Sequence, residues 1–139
     1  MGINPSEAEI RELLENSRTV AVVGLSDDPR RPSHGVARAL QRFGFRIFPV
    51  NPNLNGPILG EKPYATVEDI PEQVDIVDVF RRSKKVLPAA EGAVSNGAKT
   101  LWMQLGVINE EAARLAADNG LTVVMDRCLA VDYPRLVGR

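Results

Sequence analysis

The sequence predicts an α/β fold, a doubly wound parallel sheet with helices on both faces, in a single domain over residues 1–139. Two patterns lead to this fold class. Short apolar segments alternate with amphipathic segments along the whole chain, and the apolar segments are apolar on both faces, as in buried parallel strands. With 139 residues, 44 % of them apolar, the chain is long enough for one core and too short for two ordinary domains.

The predicted strands are the continuous apolar runs. In chain order they lie at residues 19–23, 45–50, 62–65, 74–80, 99–103 and 121–125. The third follows the turn-forming segment at residues 51–57, where the chain leaves the sheet, so we expect it to be a short edge strand.

Each predicted helix is marked by residues that begin or end helices. The residues that begin one are Ser6 with Glu9, Ser33, Pro88 and Asn109, and those that end one are Gly44 and Gly120. Ser6 and Glu9 have the spacing of a capping box, and Ser33 is expected to cap the second helix. Residues 66–70 predict one helical turn. The tail after Cys128 is compatible with a short helix packed back on the sheet or with a frayed end.

The composition excludes several classes of partner. A net charge of −1 argues against general nucleic-acid or membrane-surface binding. A single cysteine, Cys128, cannot form an intrachain disulfide and predicts a reducing compartment. No apolar run approaches the roughly 20 residues that span a bilayer, and residues 1–18 lack the apolar core of a signal peptide. We therefore expect a cytoplasmic protein without nucleic-acid or membrane partners. Homodimer formation stays open.

The segment between the first strand and the second helix has the features of a phosphate site. The strand ends in Gly24, and a loop with Ser26, Arg30 and Arg31 leads to Ser33 at the helix start. Backbone N–H groups at a helix start attract anions, and arginine adds fixed positive charge. In doubly wound sheets the ligand binds at the carboxyl ends of the strands, which is where this loop lies.

Residues after the other strands suit a ligand with phosphates and a flat base. They are Pro49, Val50, Asn51 and Pro52 after the second strand, Phe80, Arg81 and Arg82 after the fourth, Gln104 and Gly106 after the fifth, and Asp126, Arg127 and Cys128 after the sixth. NAD is the first candidate, but Ser26 and Pro29 occupy two glycine positions of its G-x-G-x-x-G fingerprint. The acidic residue that binds the ribose is also missing, since Asn51 stands there.

Six stretches form a pattern over nearly the whole chain, at residues 21–26, 31–33, 49–52, 74–81, 102–106 and 124–128. In this order they resemble the small stand-alone CoA-binding proteins, whose domain is similar to the N-terminal domain of the succinyl-CoA synthetase alpha subunit. Each stretch alone is weak, and together they are specific. The resemblance implies a Rossmann-like sheet of strand order 3-2-1-4-5-6 with the cofactor coenzyme A, or an acyl-CoA, across its carboxyl edge.

The resemblance also implies a role for individual residues. These are Gly24 and Ser26 at the pyrophosphate, Arg31 and Ser33 at further phosphate contacts, Pro49, Asn51 and Pro52 at the adenine and ribose, and Phe80 and Arg81 beside the nucleotide or the pantetheine arm. The synthetase carries a lysine just after its second strand. Here Asn53 and Leu54 stand nearby, so that contact is absent or replaced, with Arg30 and Arg31 as candidates. No catalytic residue and no metal ligand is implied.

Two charged positions have a structural interpretation beside the functional one. Arg30 and Arg31 are alternatively surface charges paired with Asp27 and Asp28, although we favour phosphate binding for Arg31. Asp78 is a carboxylate inside an apolar strand, and we expect it to pair with an arginine or with backbone N–H groups.

Four other side chains are also open to a structural role. His34 has no metal-ligand partners and is expected at the helix start near phosphate. Trp102 is expected in the core, and Gln104 either reaches the ligand or makes a structural hydrogen bond. Cys128 is either a small buried residue or a thiol that forms a mixed disulfide with CoA.

Three functions remain in view. The preferred one is a CoA-binding module without catalysis of its own, because the sequence shows no catalytic triad, metal cluster or activated nucleophile. The second is an enzyme: an acyl-CoA-using component that needs a partner chain, or a divergent NAD-binding oxidoreductase. The third is an interaction domain whose ancestral ligand site is inactive.

Overall fold

A five-stranded parallel sheet lies between two layers of helices in the computed structural model, which describes residues 4–138. The strands are β1 (Thr19–Val23), β2 (Arg46–Val50), β3 (Ile76–Val79), β4 (Thr100–Met103) and β5 (Thr122–Val124). The helices are α1 (Glu7–Glu15), α2 (Pro32–Arg42), α3 (Leu87–Asn96), α4 (Glu110–Asp118) and α5 (Leu129–Val137). Short 3-10 turns lie at Val67–Asp69 and Ser83–Lys85. Residues 1–3 and 139 of the predicted domain lie outside the described part.

The sheet has the order β2-β1-β3-β4-β5, and every strand pair is parallel. The predicted strand at residues 62–65 is a single bridge, in which Tyr64 donates its N–H to Pro49 O (2.9 Å) and accepts from Asn51 N–H (2.9 Å). The pairing with β2 does not continue, because the N–H of Thr66, the next one in position to bond β2, donates to the Asp69 carboxylate at 3.3 Å instead. The predicted order therefore holds, but the sheet has five strands and a bridge rather than six strands.

The two faces of the sheet enter separate cores. Alternate residues such as Val23 and Val79 pack under α3 and α4, whereas Val22 and Ile76 pack under α1, α2 and α5. Trp102 is fully buried in the second core, as predicted, and its Nε1–H donates to Arg127 O at 2.8 Å. Helices on both faces confirm the doubly wound class.

Most predicted helix starts are confirmed, with one correction. The Ser6 capping box is present, Asn109 accepts from Ala112 N–H at 2.9 Å, and Pro88 lies in the first turn of α3. Ser33, however, does not cap α2. The cap is Arg31 and the helix begins at Pro32, two residues earlier than a Ser33 cap predicts, because the fixed φ of proline suits the first helical position.

The tail forms a helix. α5 packs against α1 and α2, and the Tyr133 ring stacks on Phe43 with the ring centroids 4.9 Å apart. Among residues 4–138, no helix is long and apolar enough to cross a membrane.

The strand order places a crevice at the carboxyl ends of β1 and β3. The chain leaving β1 enters α2 on one face, and the chain leaving β3 reaches α3 on the other. The two connections therefore diverge between neighbouring strands, which is where open α/β sheets bind their ligands.

Candidate functional site

Two adjoining clefts occupy this crevice. The first, the α2 cleft, has a volume of about 370 Å³ and is lined by Gly24, Ser26, Arg31, Pro32, Ser33, Asn51 and Phe80. The second, the α3 cleft, has a volume of about 270 Å³ and is lined by Val23, Val50, Pro52, Ala65, Thr66, Val67, Glu68, Arg81, Lys85, Pro88, Ala89 and Glu91. At the strand ends, Val23, Pro52 and Arg81 line the α3 cleft, and their sequence neighbours Gly24, Asn51 and Phe80 line the α2 cleft. The two clefts are therefore continuous with each other along the carboxyl edge of the sheet.

A larger groove, of about 580 Å³, lies between α1 and β5 and contains none of the predicted site residues. Glu9 and Glu12 line it. Two carboxylates make this groove a poor host for phosphate, so the candidate site is at the carboxyl edge.

The turn after β1 requires glycine at position 24. Gly24 has φ +86°, a left-handed conformation that side chains rarely adopt, and a Cβ there would lie 3.0 Å from Phe80 O. Close packing of β1 against β3 is thus a sufficient reason for this glycine. The same packing leaves its backbone on the wall of the α2 cleft.

The start of α2 is tied to this turn by two side chains. Ser26 N–H donates to Ser33 Oγ at 3.0 Å, and His34 Nδ1 lies 3.0 Å from Ser26 O. Because a carbonyl oxygen only accepts, the histidine proton is on Nδ1. Ser33 therefore braces the turn rather than capping the helix, and His34 has a structural bond beside the α2 cleft.

Of the two adjacent arginines in the loop, one is paired with a carboxylate and the other is not. Arg30 makes a two-pronged pair with the Asp28 carboxylate, with N–O distances of 3.1 Å, and this pairing lowers the pKa of Asp28. Arg31 is exposed, lines the α2 cleft and precedes the first residue of α2. Within residues 4–138 it has no carboxylate partner. The positive end of α2 and a guanidinium without an ion-pair partner in the described residues thus face the same cleft.

The loop after β2 brings two of its three predicted residues to the clefts. Asn51 lines the α2 cleft, but its amide is already used: Nδ2 donates to Leu25 O (3.0 Å) and Oδ1 accepts from Asn53 N–H (2.9 Å). Pro52 lines the α3 cleft. Pro49 is buried within β2 and lines neither cleft.

The residues after β3 connect the clefts. Phe80 is half-buried on the α2 cleft, and the Arg81 stem crosses the turn, with its Cδ 3.2 Å from the position of a Cβ at Gly24. Arg81 then lines the α3 cleft together with Lys85, which the sequence analysis missed. The signal was available, since residues 81–85 contain four cations directly after a predicted strand.

The prediction for Asp78 was wrong. Its side chain is fully buried in β3, between Val22 and Trp102 of the neighbouring strands, and neither oxygen has a hydrogen-bond partner in the described part of the chain. Burial alone raises the pKa of this carboxyl well above its ordinary value. Asp78 is thus a neutral acid over a wider pH range than a surface aspartate.

Two other predicted residues lie beside β4. Gln104 makes the structural bond, because its Oε1 accepts from Leu129 N–H (3.0 Å) and so holds the start of α5. Cys128 is a half-buried free thiol directly before α5, and it lines neither cleft. The mixed disulfide stays a hypothesis. In the described residues no group of three or more His, Cys, Asp or Glu is placed to hold a metal ion.

The site therefore combines a cationic cleft with an adjoining cleft of mainly apolar wall, at the crevice of a Rossmann-like sheet. This arrangement defines a Rossmann-like α/β domain with an open crevice where such sheets bind their ligands. Residues 18–134 match the family described as CoA binding domain. The chain belongs to this CoA-binding domain family.

Relatives of two sizes share the domain. The chain is 45 % identical over 130 residues to the Bacillus subtilis (strain 168) protein named uncharacterized protein YneT, a match covering 94 % of this chain and 96 % of that protein. A solved structure of a hypothetical protein from Pyrococcus horikoshii OT3 has a TM-score of 0.92 and 36 % identity, covering 96 % of this chain and 94 % of that one.

A longer relative contains the domain as a part. The alpha subunit of acetate–CoA ligase [ADP-forming] II from Pyrococcus furiosus is 26 % identical over 127 residues. That match covers 84 % of this chain and 28 % of the subunit.

Proposed function

We propose that this protein binds coenzyme A or an acyl-CoA across the carboxyl edge of the sheet, in the cytoplasm and without catalysis of its own. The observation that carries the proposal is the contrast between two neighbours: Arg30 is paired with Asp28, and Arg31 is left unpaired on the α2 cleft. An exposed cation at the positive end of a helix favours a phosphate ligand. Membership of the CoA-binding domain family supports CoA as that ligand.

The two clefts suit the two ends of an adenosine diphosphate unit. The α2 cleft offers the Arg31 guanidinium at the positive end of α2, so we assign the pyrophosphate to it. The N–H groups of Gly24 and Ser26 already donate to Val50 O and Ser33 Oγ, so these two residues shape the wall of the cleft. The α3 cleft offers a mainly apolar wall that includes Val50 and Pro52, so we assign the adenine to it. Phe80 and Arg81, at the junction, then lie beside the nucleotide.

NAD fits the same crevice less well. The NAD ribose is bound by a carboxylate at the end of the second strand, and the amide that stands there, that of Asn51, already bonds Leu25 and Asn53. The crevice therefore offers no carboxylate at this position to accept from both ribose hydroxyl groups.

The first experiment identifies the ligand. Small molecules released from freshly purified protein are analysed by mass spectrometry, and CoA and NAD are titrated by calorimetry. CoA or acyl-CoA in the released fraction, with CoA binding and no NAD binding, is the expected result. NAD binding alone would move the assignment to an oxidoreductase, and binding of neither would leave an interaction domain with an inactive site.

Arg31→Ala tests the phosphate assignment, with Arg30→Ala as its matched control. Loss of a charge-assisted hydrogen bond weakens binding by about 1.5–3 kcal/mol, which is about 10- to 150-fold in the Kd for CoA. Arg30→Ala is expected to change the Kd little, because that guanidinium is held by Asp28. Equal effects of the two changes in calorimetry would show that the phosphates are misplaced.

An enzyme component that needs a partner chain is the second candidate. The likeness to 28 % of an acetate–CoA ligase subunit favours it, since in that relative the same domain is part of a larger enzyme. Affinity purification from the native cell, followed by light scattering, separates the two functions. A stoichiometric partner chain supports the enzyme component, whereas a monomer or homodimer supports the stand-alone module.

A further inference from the structure

The α3 cleft contains a cationic corner that the phosphate assignment does not use. The loop at residues 81–85 carries four cations, Arg81, Arg82, Lys84 and Lys85, and all four side chains are exposed. In the described residues none of them has a carboxylate within ion-pair distance. Only Arg81 and Lys85 line the cleft.

This basic loop is held in place by Ser83. The Ser83 hydroxyl accepts from Ile108 N–H at 2.9 Å, and the Ser83 carbonyl accepts from Asn109 Nδ2 at 2.7 Å. Lys85 N–H closes the 3-10 turn by donating to Arg82 O at 2.8 Å. The backbone of Lys85 is therefore fixed before any ligand arrives, which lowers the entropy cost of using its ammonium group.

The cleft is polarised along α3. Glu68 and Glu91 also line it, and the Glu68 carboxylate lies against Gly92, with Oε1 2.8 Å from the position of a Cβ there. Lys85 precedes α3 by two residues, so it is about 10 Å from the level of Gly92 along the helix axis. A second anionic group on a ligand in this cleft is favoured at the Lys85 end and repelled at the Glu68 end.

CoA carries such a group. The adenosine ribose of CoA bears a 3′-phosphate, separate from the pyrophosphate, and NAD and 3′-dephospho-CoA lack it. We infer that Lys85 binds the 3′-phosphate of CoA and so selects CoA over its dephosphorylated form. The inference rests on the proposed function, because it takes the adenosine end of CoA to lie in the α3 cleft.

Two adjacent lysines provide a matched test. Wild-type protein, Lys85→Gln and Lys84→Gln are titrated by calorimetry with CoA and with 3′-dephospho-CoA. The expected result is that Lys85→Gln weakens CoA binding about tenfold and leaves dephospho-CoA binding unchanged. Lys84→Gln is expected to change neither Kd, since Lys84 does not line the cleft. Lys85→Arg is expected to retain most of the preference for CoA.

The outcomes separate this inference from the proposed function. If wild-type protein binds CoA and Lys85→Gln weakens both ligands equally or neither, Lys85 is not the 3′-phosphate contact, although CoA binding stands. A wild-type protein that binds both ligands with equal affinity also overturns the inference. A wild-type protein that binds neither overturns the proposed function, and the assignment of Lys85 with it.

Discussion

The two edges of one sheet use charged residues in opposite ways. At the amino edge, Asp75 accepts from the N–H groups of Arg18 (2.7 Å) and Thr19 (3.1 Å), and Arg46 pairs with Glu72 at 3.0 Å. At the carboxyl edge, the described residues offer no carboxylate partner to the cations that line the clefts, Arg31, Arg81 and Lys85. Charged side chains at the amino edge thus make contacts within the fold, whereas the cations at the carboxyl edge face open clefts.

This difference separates stability from binding. A charged side chain that is paired or hydrogen-bonded stabilises the fold through that contact. Replacing the side chain therefore lowers the free energy of unfolding. An exposed cation without a partner contributes little to stability, so replacing it changes only the affinity for an anionic ligand. Substitutions at the amino edge should therefore change unfolding and not CoA affinity, and substitutions at the carboxyl edge should do the reverse.

The largest effect on stability is expected for Asp75→Ala. This carboxylate joins the start of β1 to the segment before β3, and the change leaves the exposed N–H of Arg18 and the half-buried N–H of Thr19 without their acceptor. Urea denaturation is expected to show a loss of about 1.5–3 kcal/mol in the free energy of unfolding. Asp118→Ala, an exposed aspartate on α4, serves as control and should shift it by less than about 0.5 kcal/mol. A change in CoA affinity at 25 °C in folded Asp75→Ala protein would contradict the separation of the edges.

The same contrast shows what the sequence can predict. Apolar runs and glycine positions were enough for the strand positions and for the segment that forms the α2 cleft, because both follow from local patterns. The strand order came from the resemblance to the CoA-binding proteins, since no local pattern fixes which strands are neighbours. Pairing of Arg30 rather than Arg31 depends on the conformation of the loop, which turns Asp28 back toward Arg30. The position of Ser33 was missed because Pro32 competes for the helix start. A hydrogen-bonded partner was predicted for Asp78 because buried carboxylates usually have one. Only the packing of the folded chain shows that neither oxygen has a partner among the described residues.

Asp78 lies inside the sheet and belongs to neither edge, and a change there should make stability depend less on pH. The unfolded chain releases this proton near the ordinary pKa of 3.8, whereas burial raises the pKa in the folded state. Between these two pKa values the folded state binds more protons, so the wild-type free energy of unfolding falls as pH rises. Asp78→Val is expected to remove this slope and to stabilise the protein at neutral pH by about 1–3 kcal/mol.

Urea denaturation of the wild type and of Asp78→Val from pH 4 upward measures this effect. The stability difference between the two proteins should grow with pH until it levels off above the folded pKa. A difference that is constant with pH would mean that the folded carboxyl titrates normally, and would require a hydrogen-bond partner for Asp78 in solution.

The smallest effect is expected at the Arg46–Glu72 pair, whose side chains are 56 % and 42 % exposed. Such a pair is screened by water, so Glu72→Gln should lower the free energy of unfolding by only about 0–1 kcal/mol, and by less in 1 M salt. Arg46→Ala should cost more, because its guanidinium also lies 4.7 Å from the centre of the Phe48 ring. Neither change should alter the Kd for CoA. If Glu72→Gln weakened CoA binding, a change at the amino edge would alter the clefts through β2. The two edges would then be energetically coupled, and the separation of stability from binding would be wrong.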